Sequence, residues 1–144
     1  MKVHHVGYFV SNIDEAREGF LKMGWHISSP CVFDELRKIF VQFLESDGSP
    51  STGGGIVLEL VAAGEGCTLF NKKMRSLGNA PYHICYECRD LDETIAEFRL
   101  QNFLLVREPQ PACALENRRI AFMYGTSVGL IELLECKGEM LNDT

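Results

Sequence analysis

The sequence lacks the features that mark several large classes of protein. Its apolar runs fall well short of the roughly 20 residues that cross a bilayer, and its first residues do not read as a secretory signal. Basic residues are outnumbered, with 14 Lys and Arg against 20 Asp and Glu, so the basic face of a nucleic-acid binder is missing. We therefore expect a cytoplasmic protein that has neither a membrane nor a nucleic acid as partner.

Cysteines are also too sparse for a secreted disulfide scaffold. The six cysteines are spread over the whole chain and lie mostly in apolar segments, which is typical of free thiols in a reducing compartment. Cys85 and Cys88 have the spacing of a zinc motif, but on a strand their side chains point to opposite faces. We do not expect this pair to bind a metal.

An internal repeat is what the sequence does contain. When the chain is compared with itself at an offset of 78 residues, a histidine, a helix-capping residue and two aromatic positions coincide. Each copy has the order strand, acidic turn, helix, aromatic residue. The matched pairs are His5 with His83, Asn12 with Asp90, Phe20 with Phe98, and Trp25 with Phe103.

Hydrophobic periodicity predicts the same order of elements in both halves. The glycine-rich segment 46–55 predicts a floppy hairpin tip or, as a functional alternative, a lid, and Glu108-Pro-Gln-Pro111 predicts an irregular crossing loop. Strands are predicted over 3–10, 25–33, 38–44, 56–62, 81–88, 103–108, 118–124 and 129–136, and helices over 13–23, 68–77 and 91–101.

The resulting fold class is α+β. Two βαβββ modules are expected to pair edge to edge into one curved mixed sheet that forms a cleft, because a single module leaves one sheet face and one edge open. At 144 residues the chain is expected to be one domain. The predicted divisions are module 1 over 1–63, a linker with one helix over 64–80, module 2 over 81–136 and a frayed tail over 137–144.

Four ionisable residues lie at apolar strand positions. Glu59 shares a strand face with Val57 and Val61, and Glu132 shares one with Leu130 and Leu134. A carboxylate in such a place is costly unless it is paired or bound to a cation. Together with the repeat-related His5 and His83, the two glutamates are predicted to bind one divalent ion, with Co, Ni, Zn, Mn and Mg all open.

The alternative treats the four residues separately. Each histidine would then be a core residue with its own hydrogen bond, and each glutamate would pair with Arg118, Arg119 or a lysine. His4 points the other way along the first strand and His26 follows the first helix, so both are interpreted as structural or exposed.

Several motifs in this order resemble one family. They are His4-His5-Val-Gly with the following NIDEA, Leu58-Glu59-Leu, Tyr82-His83-Ile-Cys-Tyr-Glu with DLDETIAEF, Glu108-Pro-Gln-Pro, RIAFM from Arg119, and GLIELLE from Gly129. From Val3 to Cys136 the chain resembles the vicinal oxygen chelate superfamily, which includes glyoxalase I, methylmalonyl-CoA epimerase, extradiol dioxygenases and bleomycin-resistance proteins. The resemblance implies metal ligands at His5, Glu59, His83 and Glu132.

Within that superfamily the second half looks most like the methylmalonyl-CoA epimerases. The resemblance to glyoxalase I is weaker, since Tyr124-Gly-Thr-Ser-Val replaces the turn usual before its last strand. The chain also departs from the epimerases, with Tyr82 in place of a second histidine and Ala112-Cys-Ala-Leu-Glu-Asn in place of a glycine-rich stretch.

The resemblance implies a homodimeric isomerase that removes a proton next to a thioester carbonyl. It assigns the base to Glu132 and, as the second choice, to Glu59, and it implies an acyl-CoA or a glutathione adduct as the small-molecule substrate. Two alternatives stay open: a glyoxalase I-like lyase acting on a glutathione hemithioacetal, and a non-catalytic, antibiotic-binding protein whose cleft is lined by aromatic residues. The aromatic candidates are Phe40, Phe43, Tyr82, Tyr86, Phe122 and Tyr124.

Overall fold

Residues 1–48 and 54–137 are described by the computed structural model of the protein, and they divide into two compact units. The first unit is His5–Tyr82, and the second comprises Met1–His4 with the described residues from His83 onward. The interpretation of the chain as a single domain stays a prediction. The frayed tail after residue 137 and the middle of the 46–55 tip or lid lie outside the described residues.

The first unit is built on the sheet order β2-β4-β5-β1, with β3 also paired to β4. Strand β1 runs parallel to β5, whereas β2, β3 and β5 are antiparallel to β4. The elements are β1 (Lys2–Phe9), α1 (Ile13–Lys22), β2 (His26–Ile27), β3 (Val32–Asp34), β4 (Ile39–Glu45), β5 (Val57–Ala63) and α2 (Lys72–Leu77).

The second unit repeats this arrangement with the order β6-β9-β8-β7. Strands β6 and β9 are parallel, and β8 is antiparallel to both β9 and β7. The α+β class with two βαβββ modules is therefore confirmed. The elements are β6 (Ala80–Cys88), α3 (Leu91–Leu100), β7 (Leu104–Ala112), a 3-10 turn (Cys113–Leu115), β8 (Arg118–Gly125) and β9 (Gly129–Glu135).

The two long helices begin with equivalent caps. The Asn12 side chain accepts a hydrogen bond from the backbone N–H of Glu15, and the Asp90 side chain accepts one from Glu93, at 3.0 and 2.9 Å. Each such cap stabilises its helix by about 1 kcal/mol. The first helix ends before Gly24, whose φ of 99° lies in the left-handed region that glycine adopts without strain, as the sequence predicts.

Each helix covers one face of its own sheet with an apolar cluster. Burying one such aliphatic or aromatic side chain contributes about 1.5–3 kcal/mol, so the clusters fix which face of each sheet is covered. The opposite face is therefore left to the residues that alternate with the cluster. The first cluster contains Val10, Ile13, Leu44, Leu58, Leu60 and Ala62, and the second contains Cys88, Leu91, Ile95, Ala121, Met123, Ile131 and Leu133.

The prediction of one strand over 25–33 is wrong. That segment forms two short strands, β2 and β3, which both pair with β4. Between them Pro30 has no N–H to donate, and the Ser29 hydroxyl accepts the backbone N–H of Phe43 at 3.0 Å in place of a ladder partner. The side chain of Ser29 therefore takes over a hydrogen bond that a regular strand would make with its backbone.

The prediction of an irregular loop at Glu108-Pro-Gln-Pro111 is also wrong. Strand β7 continues through both prolines to Ala112 and stays paired with β8. It does so because β7 is the outermost strand of this sheet order, where proline is tolerated. The expected irregularity is present as register shifts between Leu105 and Arg107 and between Arg107 and Gln110.

The helix predicted over 68–77 begins later, at Lys72. The Asn71 side chain accepts a hydrogen bond from the backbone N–H of Met74 at 2.8 Å, and this cap fixes the start of α2. Its end before Gly78 agrees with the prediction.

Candidate functional site

In the first unit, Glu59 and His5 meet on the sheet face that helix α1 leaves uncovered. Glu59 lies on β5 between the core residues Leu58 and Leu60, so its side chain points away from the helix. The register of β1 places Gly7 beside Glu59, and His5 lies two residues earlier on the same face. The His5 Nε2 and Glu59 Oε1 atoms are 3.6 Å apart, and only 1% of His5 and 7% of Glu59 is exposed.

The second unit brings His83 and Glu132 together in the same way. Glu132 lies on β9 between the core residues Ile131 and Leu133, and the register of β6 places Cys85 beside it. His83 lies two residues before Cys85. Its Nε2 atom is 3.4 Å from Glu132 Oε1, and both residues are almost completely buried.

A phenylalanine contacts each histidine from the strand on the far side of the glutamate strand. Phe43 is opposite Glu59 and packs edge-on against the His5 ring, with the ring centroids 5.4 Å apart and the planes at 73°. Phe122 is opposite Glu132 and packs against His83 at 5.3 Å and 82°. The phenylalanine rings restrict the orientation of both imidazoles.

The spacing within each pair fits two atoms that bind the same metal ion. Atoms that both lie about 2.1 Å from an ion are about 3.0 Å apart in octahedral geometry and about 3.4 Å apart in tetrahedral geometry. The observed 3.4 and 3.6 Å are longer than a good N–H to oxygen hydrogen bond and close to the metal spacing. Each pair has one imidazole and one carboxylate, donors that suit an ion of intermediate hardness.

Arg118 and Arg119, the partners considered for the glutamates, contact other carboxylates. Arg118 donates to Glu87 at 2.6 Å, and this ion pair is largely buried. Arg119 bonds Glu135 at 3.2 Å and Asp92 at 3.1 Å. Arg118 and Arg119 thus pair with carboxylates other than those of Glu59 and Glu132.

The remaining candidates have structural positions. Cys88 packs in the core beneath helix α3, where burial raises the pKa of its thiol, whereas Cys85 lies on the opposite face. The two thiols therefore face away from each other, as predicted. His26 is exposed and bonds Asp47 at 2.6 Å, and His4 is half-buried.

The aromatic candidates are divided among different surroundings. Tyr86 packs with the second apolar cluster, and Tyr82 packs edge-on against Phe70 at 5.5 Å. Phe40 and Tyr124 are partly exposed, and Phe43 and Phe122 pack against the histidines.

The sequence reasoning missed Arg107. This arginine lies opposite Phe122 on β7, one strand beyond the Phe122–Glu132 pair. The repeat offered a signal for this position. The offset of 78 residues relates Arg107 to Ser29, and Ser29 contacts Phe43 in the first unit.

Comparisons with known proteins agree on one family. The family model described as Glyoxalase/Bleomycin resistance protein/Dioxygenase superfamily matches residues 4–122. No curated protein matches the chain. Among the described residues, no helix has the length and apolar character needed to cross a membrane.

Several solved structures with the same fold are methylmalonyl-CoA epimerases. The Mycobacterium tuberculosis enzyme is 24% identical with a TM-score of 0.78, covering 97% of this chain and 91% of its own. A variant of the Streptomyces coelicolor enzyme in complex with 2-nitronate-propionyl-CoA is 19% identical with a TM-score of 0.77, covering 96% and 99%. A methylmalonyl-CoA epimerase in complex with methylmalonyl-CoA and NH4+ is 19% identical with a TM-score of 0.76, covering 95% of both chains.

Proposed function

Because the chain belongs to the glyoxalase, bleomycin resistance protein and dioxygenase superfamily, we propose that it is a metal-dependent isomerase that acts on a thioester, as methylmalonyl-CoA epimerase does. The reaction would be removal and return of the proton on the carbon next to the thioester carbonyl. The similarity to epimerases along nearly the whole chain supports this choice over a glyoxalase I-like lyase.

The observation that carries the proposal is the pair of buried histidine and glutamate residues in each unit. We propose that His5, Glu59, His83 and Glu132 together bind one divalent ion, which Co, Ni, Zn, Mn or Mg would satisfy. A buried carboxylate is costly without a cation, and the chain keeps one in each unit at metal-ligand spacing from an imidazole. A protein that only sequesters an antibiotic would have no need of this set.

The bound ion would act as a Lewis acid that polarises the thioester carbonyl and stabilises the negative charge that develops on its oxygen. The proton chemistry belongs to the glutamates. Glu132 is 2% exposed and lies in a largely desolvated place, which suits a base that accepts a proton from carbon. Glu59 is the group proposed to return a proton from the other side.

The proposed partners follow from the same reaction. The substrate is an acyl-CoA whose α-carbon bears an acidic proton, and the protein works as a homodimer, as the family resemblance implies. Structures in the family hold acyl-CoA compounds, including methylmalonyl-CoA itself.

Solvent deuterium incorporation tests the reaction directly. Metal-loaded protein is incubated in D₂O with methylmalonyl-CoA, and deuterium at the α-carbon is measured by mass spectrometry. A parallel assay follows conversion of the methylglyoxal–glutathione hemithioacetal. Incorporation in the first assay alone supports the epimerase, whereas turnover in the second alone would replace it with a lyase.

Metal analysis separates an enzyme from a binding protein of the same fold. After chelation and re-addition of each candidate ion, we expect about one ion per chain. A protein that takes up no ion under any of these conditions, and exchanges no α-proton, contradicts the proposal.

A further inference from the structure

One row of residues crosses the sheet of the second unit at the level of Glu132. Arg107 on β7 is opposite Phe122 on β8, and Phe122 is opposite Glu132 on β9. Residues directly opposite each other in an antiparallel ladder point to the same face. Arg107 therefore lies on the same sheet face as Glu132 and His83, two strands from Glu132, or about 10 Å at the usual strand spacing.

Strand β7 is distorted on both sides of Arg107. The register shifts between Leu105 and Arg107 and again between Arg107 and Gln110, so that Arg107 is the paired residue between two irregularities. Bulges of this kind redirect side chains and are frequent next to active sites. Leu105 still packs in the core beneath helix α3, and the first shift moves Arg107 to the opposite face.

Arg107 differs from the other arginine of this sheet face. Arg118 is tied to Glu87 and to the Glu135 carbonyl oxygen. The exposed guanidinium of Arg107 has neither a hydrogen bond nor an ion pair with any residue in 1–48 or 54–137. The sheet face that carries the proposed base therefore also carries a positively charged group that can bind an anion.

We propose that Arg107 binds the carboxylate of the substrate acyl group and thereby selects thioesters that carry an acidic group near the reacting carbon. This inference rests on the proposed function. An arginine presents two parallel N–H donors that match a carboxylate, and such charged bonds are stronger than neutral ones. Arg107 is a specificity-determining residue in this assignment, and Glu132 remains the base.

The position favours the acyl carboxylate over the phosphates of coenzyme A. In a methylmalonyl group the carboxylate is attached to the same carbon that loses the proton, so it must lie close to Glu132. The phosphates stand at the far end of the pantetheine arm. A long side chain rooted about 10 Å from Glu132 can reach over Phe122 toward the first group.

The experiment measures binding by calorimetry, with protein loaded with Co²⁺. One ligand is the N-acetylcysteamine thioester of methylmalonate, which carries the carboxylate without phosphates, and the other is coenzyme A, which carries phosphates without the carboxylate. Arg107→Gln is compared with Arg107→Lys and with Arg99→Gln, a matched control on helix α3. Arg107→Gln should weaken thioester binding about tenfold or more, and coenzyme A binding should not change.

Arg107→Lys should recover part of the affinity, because it keeps the charge without the forked geometry, and Arg99→Gln should behave as the wild type. Equal affinities of Arg107→Gln and Arg99→Gln for the thioester would overturn the inference, as would a loss confined to coenzyme A. Deuterium incorporation by the wild type is scored separately. If the wild type exchanges no proton but Arg107→Gln still loses thioester affinity, the proposed function fails and the carboxylate site stands.

Discussion

Each of the two units places one histidine beside one glutamate in the same strand register. The units differ in the side chain at the outer edge of the sheet. Glu59 lies between Phe43 and Gly7 on its neighbouring strands, and Glu132 lies between Phe122 and Cys85. Gly7 and Cys85 each come two residues after a histidine. Ser29, between β2 and β3, uses its hydroxyl to accept the backbone N–H of Phe43. The guanidinium of its repeat equivalent, Arg107 on β7, has neither a hydrogen bond nor an ion pair with the described residues.

This difference teaches where duplicated halves are constrained and where they diverge. The histidine and glutamate positions hold the same residue types in both units, whereas the position of Ser29 in the first unit is Arg107 in the second. One of these two side chains holds a neighbouring backbone, and the other presents a cation. Under the proposed function, a cation in one unit only would give an asymmetric substrate a single orientation.

The largest expected effect follows from removing a ligand in either unit. His5→Ala and His83→Ala should each abolish turnover and reduce bound metal from about one ion per chain to well below one, because each removes one of four ligands. Metal content by mass spectrometry and deuterium incorporation are the measurements. His26→Ala, at an exposed histidine, is the control. If only one of the two variants loses the ion, the ligand sets are not equivalent.

Replacement of the glutamate should have a larger effect on turnover in the second unit than in the first. Glu132→Gln should lower turnover at saturating metal by about 10²-fold or more, the usual scale for a lost general base. Glu59→Gln should lower deuterium incorporation less, because Glu132 is proposed to remove the proton and Glu59 to return one. Glu97→Gln, on the exposed side of helix α3, controls for the loss of one charge. Near-normal turnover of Glu132→Gln, with folding checked by circular dichroism, would end the assignment of the base.

At one pair of repeat-related positions, the second unit has a buried ion pair and the first has an aromatic contact. Glu87 bonds Arg118 at 2.6 Å, while the repeat equivalent of Glu87 is Phe9, packed on Phe70 with ring centroids 4.5 Å apart. Glu87→Leu should lower the free energy of unfolding by about 3 kcal/mol, because it leaves the Arg118 charge buried without its carboxylate.

The double variant Glu87→Leu with Arg118→Met should recover most of that loss, since an apolar pair replaces the ionic one. The free energies of unfolding of the wild type, the single variant and the double variant are measured by urea denaturation. A double variant as unstable as the single one would show that the ion pair itself, and not the stranded charge, carries the stability.

The smallest expected effect comes from exchanging equivalent core residues. Cys88 and Val10 are related by the repeat, and both pack beneath the helix of their own unit. Cys88→Val should change the free energy of unfolding by less than about 1.5 kcal/mol, because the volumes are similar. A larger change, measured by urea denaturation, would show that the weak bond from the Cys88 thiol to the Leu134 carbonyl oxygen contributes more than its 3.5 Å length implies.

Much of the fold was predictable because local signals agreed with one another. The repeat of 78 residues, the caps at Asn12 and Asp90 and the glycine after the first helix all correspond to elements of the structure. The alternation around Glu59 and Glu132 also predicted which residues of each strand share a face with the carboxylate. These signals depend on residues close in sequence, whose periodicity fixes the facing of each side chain.

The outer strands were not predictable in the same way. The strand predicted over 25–33 is interrupted at Ser29, whose hydroxyl bonds the backbone of Phe43. Strand β7 is not interrupted by its two prolines, since it stays paired with β8. Both results depend on hydrogen bonds to a neighbouring strand, which the periodicity of one segment does not contain. The position of Arg107 on the same face as Glu132 depends on two register shifts that leave no mark in the periodicity. A pattern of alternate residues assigns a face only while the ladder is regular.

The two prolines of β7 also affect the tendency of this protein to aggregate at high concentration. An outer strand with a complete set of backbone donors invites strands of other molecules to add to it, which is the first step of aggregation. Pro109 and Pro111 remove two donors, and the distorted ladder around them makes the edge a poor template. The irregular strand would thus keep the protein in solution.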